Sequence, residues 1–403
     1  MRKESMKLFY PVVILVFLLL SATNAFSLGE DPAPVPEPVQ EDTLFSRYIA
    51  MGDSITHGFQ SGSVDESRQS TAYGSLLAER MGADFKLPLL KFPGYLVNIE
   101  DVGKGNIAWW QYYYPLVGGV RVDDSQDINN FGITGAEPKS YRYSSGSEGG
   151  FYKLVLGSNG DTALNQSLGK NPTFISFWLG NNDVLGAALT CNMDDLGPLS
   201  DFSDNFQYIV QQILNKDSVM GAVMANVPDV TSIAYLNDVN DPDFPVGSLK
   251  PFWLKEVAGG MVLTPDDLGE IQEKAELINL EIEETAYANG WAFVNTNQVF
   301  SDIVSSGHEL KDGNGNGTGR YVTADYLGGI FSLDGVHPSI TGHAIVGNYM
   351  IEAINDSYGA GLAGINEYAV SENDSLYKDP YDPRNLIDGW IGDAIVFVVE
   401  LFM

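Results

Sequence analysis

"GDSITHG", residues 52–58, follows the apolar run "RYIAM" and precedes a polar stretch rich in Gly and Ser. Gly, Asp and Ser are common turn residues, so the segment reads first as the end of a buried strand. A second reading makes Ser54 a nucleophile on the rim of a sheet. That role requires a base, an acid that orients the base, and oxyanion donors elsewhere in the chain.

Further apolar runs, "DINNFGI", "TFISFWL", "VMGAVMAN" and "WAFVNT", alternate with helical patterns after "RYIAM". This alternation predicts βαβ units and an α/β fold on a parallel central sheet of about five strands. In "SDNFQYIVQQILNK" the residues Phe206, Ile209, Val210, Ile213 and Leu214 fall at spacings of three and four, which predicts one apolar stripe. Thr264, Pro265 and Asp267 form a capping pattern that opens the longest helix, closed at Gly290. "PSITGHAIVGNYMIEAIN" is expected to start at Pro338 and to pack back on the sheet.

The chain has 403 residues, 44% hydrophobic and 19% charged, enough for a large core in one elaborated domain or two. Residues 1–25 read as a secretory signal. Arg2, Lys3 and Lys7 form its basic end, "LFYPVVILVFLLL" its apolar segment and "ATNA" a small-residue cleavage region. This predicts a secreted or periplasmic protein without a stable membrane span. The acidic, Pro-rich "GEDPAPVPEPVQED" makes residues 26–44 a stiff linker, and folding is expected from Phe45. The net charge of −31 becomes −33 once residues 1–25, which sum to +2, are removed. Such a field repels nucleic acid and anionic membranes, which excludes nucleic acid as a partner, and it fits a saline habitat. Cys191 is the only cysteine, so no intrachain disulfide forms, and with no base nearby it reads as an incidental thiol.

Three segments stand apart from this pattern. "NIAWWQYYYPLVGGV", residues 106–120, reads as a hairpin or extended arm, with a substrate-lining role as the alternative. "KDGNGNGTGR", residues 311–320, reads as a tight, flexible turn between two strands; its Asp and Asn spacing is similar to calcium loops, but the terminal acidic ligand of an EF-hand is missing. The tail "IDGWIGDAIVFVVELFM" is too short and too interrupted by acids to span a membrane.

A serine hydroxyl needs a histidine within hydrogen-bond reach and a carboxylate behind it. The sequence offers four histidines. His57 is too near Ser54 along the chain, His308 falls in an apparent loop, and His343 lies inside the last helix, where a polar surface or capping role is expected. His337 differs: in "SLDGVHPS", Asp334 lies three residues before it and Gly335 permits a sharp turn. Asp334 and His337 can hydrogen-bond locally and leave the other ring nitrogen free to face a serine, although a surface Asp with a capping His would look the same. Two strand ends offer donors for an oxyanion. Asn182 in "FWLGNNDVLG" carries a side-chain N–H, and Gly135 in "NNFGITGAE" can present a backbone N–H at close approach. Turn residues alone would account for both.

In this order, "GDSI", "GITGA", "GNND" and "DGVHP" resemble the four blocks of the SGNH or GDSL hydrolase superfamily, with Ile55 where Leu is usual. The resemblance runs from about Phe45 to Asn355. It implies a three-layer α/β/α sandwich with a flavodoxin-like sheet and large loop insertions. It further implies Ser54 as nucleophile and oxyanion donor, Gly135 and Asn182 completing the oxyanion hole, His337 as base and Asp334 as its partner. Residues 45–357 would form the hydrolase domain and 358–403 a C-terminal extension. Ser54 lacks the G-x-S-x-G context of α/β-hydrolases. The expected activity is ester hydrolysis of carboxylesterase or lipase type on a small-molecule or lipid ester, with no metal or other cofactor. A carbohydrate O-acetylesterase and a non-catalytic secreted binding module are the alternatives.

Overall fold

The computed structural model describes residues 43–96, 98–104, 119–158, 160–254 and 261–378. The signal segment, the linker up to residue 42, most of the aromatic stretch 106–120 and the tail from 379 lie outside them. Among the described residues nine strands form: β1 (Tyr48–Gly52), β2 (Asn130–Gly132), β3 (Phe174–Trp178), β4 (Gly221–Ala225), β5 (Leu236–Asp238), β6 (Leu249–Pro251), β7 (Ala292–Val294), β8 (His308–Lys311) and β9 (Gly317–Val322). Five of them make one sheet in the order β2-β1-β3-β4-β7, every pair parallel. These are the five apolar runs of the sequence. The flanking pairs β5–β6 and β8–β9 are antiparallel.

β1, β3 and β4 are buried along their whole length, because helices cover both faces of the sheet. Alternate residues serve opposite layers. Ile49, Met51, Ile175, Phe177 and Met224 join a core with Phe202, Phe206 and Ile209 of the helix Leu199–Leu214 and Ile271, Ile278 and Ile282 of the helix Pro265–Ala288. Tyr48, Ala50, Phe174, Trp178 and Val223 join a second core with Tyr73 and Leu77 of the helix Tyr73–Met81 and Met350, Ile351 and Ile354 of the helix Ile340–Tyr358. The result is a three-layer α/β/α fold.

Local details depart from the sequence reading. The stripe on Leu199–Leu214 begins a turn earlier, at Phe202, while Leu214 is exposed: positions 202, 206, 209, 210 and 213 already fill the face toward the sheet. The capping box of Thr264 and Asp267 forms as expected, with Pro265 at the first helical position. Pro338 does not start the last helix. Ser339 caps it, its Oγ accepting the Gly342 N–H at 3.0 Å, so Pro338 remains in the preceding loop. The segment 311–320 holds the end of β8, the hairpin turn 312–316, in which Asp312 Oδ1 accepts the backbone N–H groups of Asn314 and Asn316, and the start of β9.

The ends of β1 and β2 prepare the site. Gly52 and Gly132 are partners in register. A Cβ on Gly132 would overlap the backbone of Thr56 and His57, so its bare Cα allows the short helix Ser54–His57 to fold back against β2. Gly132→Ala is therefore expected to lower unfolding free energy by about 1–3 kcal/mol, the usual range for overpacking. Urea unfolding measures it, and a variant as stable as the parent would contradict this close approach.

Candidate active site

The nucleophile turn is fixed by its neighbour. Asp53 caps the helix Ser54–His57, its Oδ1 accepting the Ile55 N–H at 3.0 Å and its Oδ2 the Asn181 side-chain N–H at 2.8 Å. Asn181 belongs to the loop after β3, so this pair joins the turn carrying Ser54 to the turn carrying Asn182. Burial pushes the Asp53 carboxyl up to about 6, against the lowering effect of Asn181, the Ile55 N–H and His337.

His337 reaches Ser54 from the far end of the chain. Its Nε2 lies 2.9 Å from Ser54 Oγ and its Nδ1 3.0 Å from Asp334 Oδ2. An ionised carboxylate only accepts, so Nδ1–H donates to Asp334 and the neutral ring presents Nε2 as acceptor for the Ser54 hydroxyl. Both Ser54 and His337 are buried, and the Phe59 ring packs 4.7 Å from the imidazole. Burial raises the Asp334 pKa, but His337 and the N–H groups of His337 and Val336 outweigh it and hold the carboxyl below its usual range. Asp334 also accepts the Ser332 hydroxyl at 3.1 Å and the Gly62 N–H at 3.1 Å. Ser332 Oγ in turn accepts the Ser61 N–H, and Ser61 Oγ the Leu333 N–H. The turn Ser61–Gly62, both residues at positive φ, is thus laced to the loop carrying the acid and the base.

Gly135 sits in the turn after β2 with φ +79°, a conformation that favours glycine. Asn182 opens the helix Asn182–Thr190 after β3, and its Nδ2 donates to the Ala136 carbonyl at 2.9 Å. An amide carries two hydrogens, and this bond uses one. Ser54, Gly135 and Asn182 thus follow β1, β2 and β3, at the reversal of strand order where open α/β sheets bind ligands. Ser54, Asp334 and His337 are joined directly, and Gly135 and Asn182 lie on adjoining loops linked through Ala136.

The other histidines behave differently from the sequence reading in two cases. His343 is fully buried rather than at a polar surface, because it stacks on Tyr73 of the helix Tyr73–Met81 and accepts the Tyr73 N–H at its Nδ1; burial, with repulsion from His337, drops its pKa to about 3. His308 lies in β8 rather than a loop, buried, with Nε2 2.9 Å from the Glu367 carboxylate. His57 is buried against Thr134 Oγ1 at 3.0 Å and is likewise lowered to about 3. Among the described residues no group of three or more His, Cys, Asp or Glu is arranged to hold a metal ion. Sequence reasoning missed Asp53, Asn181, Ser61 and Ser332. Of these only Asp53 carried a local signal, an Asp at the helix-capping position before Ser54.

A cavity of about 90 Å³ has Ile55 and Val336 in its walls, whereas Ser54, Gly135, Asn182, Asp334 and His337 do not line it. It extends between the helices Thr296–Ser306 and Ile340–Tyr358 and is walled by apolar groups apart from Thr296.

Because the folded pKa of Asp53 lies above the unfolded value, the fold favours its protonated form. Its contribution to stability is fully present below about pH 4 and declines as pH rises through about 6. Asp53→Asn keeps an acceptor for Ile55, and once the Asn181 amide turns over, its Oδ1, which has no hydrogen-bond partner among the described residues, accepts the new N–H. The stability of this variant relative to the parent should therefore rise by up to about 3 kcal/mol between pH 4 and pH 7. Urea unfolding across that range tests it, and a pH-independent difference would count against the buried carboxyl.

No curated protein matches the sequence. Solved structures similar to the chain include an acetylxylan esterase from Geobacillus stearothermophilus, 13% identical over 77% of this chain and 96% of that one, TM-score 0.39. An alpha/beta hydrolase enzyme from the metagenome of Lake Arreo, Spain, is 14% identical over 76% and 94%, TM-score 0.37. A gut microbial diltiazem-metabolizing enzyme is 14% identical over 76% and 46%, TM-score 0.35. The model of the GDSL-like Lipase/Acylhydrolase family matches residues 48–350, from the first sheet strand into the last long helix, and the chain belongs to that family of serine ester hydrolases.

Proposed function

We propose that the protein is an exported carboxylesterase acting through an acyl-enzyme on Ser54. The carrying observation is the continuous chain of hydrogen bonds from Asp334 through His337 to the Ser54 hydroxyl. His337 Nε2 takes the hydroxyl proton as Oγ attacks the ester carbonyl carbon. The oxyanion is held by the N–H groups of Ser54 and Gly135 and by the Asn182 amide, and Asp334 stabilises the imidazolium. The imidazolium then gives its proton to the departing alkoxide. Water, deprotonated by the same nitrogen, attacks the acyl carbonyl, and the acid leaves as Ser54 Oγ recovers its proton.

The match to the GDSL-like Lipase/Acylhydrolase family supports an acyl ester as substrate. Export is supported by the basic and apolar segments of residues 1–25. No helix among the described residues is long and apolar enough to cross a membrane.

Assays of p-nitrophenyl esters beside acetylated xylan test the reading. The p-nitrophenyl esters should be cleaved and the xylan spared. Ser54→Ala should abolish turnover, and Asn182→Ala should lower kcat by about 10²–10³ with KM little changed, as for loss of one oxyanion donor. Folded protein without activity on any ester would favour a binding module instead. For export, the protein released by a secreting host should begin at Phe26, as read by N-terminal sequencing; an intact leader would contradict it.

A further inference from the structure

We propose that Ser332 is a positioning residue for this reaction, and that the turn Ser61–Gly62 is built to hold its hydroxyl against Asp334. This rests on the acyl-enzyme reading. Asp334 divides its donors between its two oxygens. Oδ1 accepts the N–H groups of Val336 and His337, both at 2.9 Å, and the Ser332 hydroxyl at 3.1 Å. Oδ2 accepts His337 Nδ1–H at 3.0 Å and the Gly62 N–H at 3.1 Å. A carboxylate oxygen offers about two lone-pair sites, so three donors saturate Oδ1 and leave Oδ2 to the ring. The amides of Val336 and His337 belong to the loop that carries Asp334. Gly62 comes from a second segment, and the Ser332 hydroxyl is pinned by that same segment: its oxygen accepts the Ser61 N–H at 2.9 Å, which leaves its one hydrogen for Asp334.

The backbone of that segment is spent on this contact. Gln60 and Ser63 exchange both backbone hydrogen bonds, at 2.9 and 3.1 Å, around Ser61 at φ +53° and Gly62 at φ +82°. Primed hairpin turns need positive φ at their centre, where Gly, Asn or Asp is usual, and a serine there carries strain that Gly would not. Strain of this kind points to a use. The two successive N–H groups go to Ser332 and Asp334, the Ser61 hydroxyl accepts the Leu333 N–H at 3.1 Å, and the Ser61 carbonyl accepts the Ile99 N–H at 2.8 Å. Glycine at position 61 would relieve the strain and lose the bond to Leu333. A donor aimed at Asp334 stabilises the carboxylate and, with its positive end toward the site, tempers the pull of Asp334 on the His337 proton. Without the Ser332 hydroxyl the ring should be held less firmly and be more basic. The other titratable groups facing the pair are Asp53 and His343, which act on His337, Tyr326, whose hydroxyl donates to the Leu333 carbonyl at 2.8 Å, and Tyr235, whose N–H donates to the Gly335 carbonyl. Ser332→Ala keeps all four, so its difference from the parent reports the hydroxyl.

Steady-state hydrolysis of a p-nitrophenyl ester by the full chain, over roughly pH 5–9, tests this beside Ser332→Ala. The variant should lose about tenfold in kcat with KM within about twofold, and the acid limb of its kcat/KM profile should move up by about half a pH unit. Ser61→Gly, which keeps the turn and both of its N–H groups, should lower kcat in the same direction by about threefold. Circular dichroism verifies that both variants are folded. A folded Ser332→Ala whose acid limb stays in place or moves down overturns the positioning role, even where kcat falls, because a merely structural loss would not move the limb upward. If Ser332→Ala does not fold, Ser61→Gly decides, and parental kcat there overturns the proposal. All of these outcomes leave the Ser54 mechanism standing, whereas activity that survives Ser54→Ala overturns that mechanism instead.

Discussion

The site depends on one long-range hydrogen bond: His337 Nε2 to Ser54 Oγ, 2.9 Å across 283 positions of sequence. It holds because each partner is fixed before they meet. Ser54 opens a four-residue helix that lies against Gly132 and is capped by Asp53. His337 is oriented by Asp334, whose two oxygens accept donors from its own loop and from Gly62 beyond the nucleophile helix. The bonds between residues 61–62 and 332–334 therefore set the distance between proposed base and nucleophile as much as the side chains themselves do.

Burial adjusts these groups in opposite directions. Asp334 is buried but surrounded by donors and a histidine, and it stays ionised. Asp53 is buried with fewer donors and is pushed up to about 6. His57 and His343, buried without a carboxylate partner, are kept neutral to about pH 3. Of the four histidines, His337 and His308 are the ones seen against a carboxylate, and His337 alone of those two also meets Ser54. An imidazole that must become positive in mid-reaction needs that partner, and this separates His337 from His57 in physical terms.

Much of this was legible in the sequence because it is local or periodic. Parallel strands covered on both faces read as unbroken apolar runs, so "RYIAM" and "TFISFWL" stood out, and Asp334 and His337 share one turn. What escaped was pairing at a distance. Asp53 meets Asn181 from 128 residues away and Ser61 meets Ser332 from 271, with no period to announce either. Leu214 falls at stripe spacing yet is exposed, because a helix face has finite width and Phe202 with the positions after it already fills it. His343 reads as a polar helix position, yet its ring is buried against Tyr73 of the helix Tyr73–Met81.

Covalent trapping tests the central claim most directly. A p-nitrophenyl alkylphosphonate should release one equivalent of nitrophenol and leave a stable phosphonyl group that peptide mass spectrometry locates on Ser54. The label should form far more slowly in His337→Ala. Labelling at another residue, or equally fast labelling without the imidazole, would contradict the account.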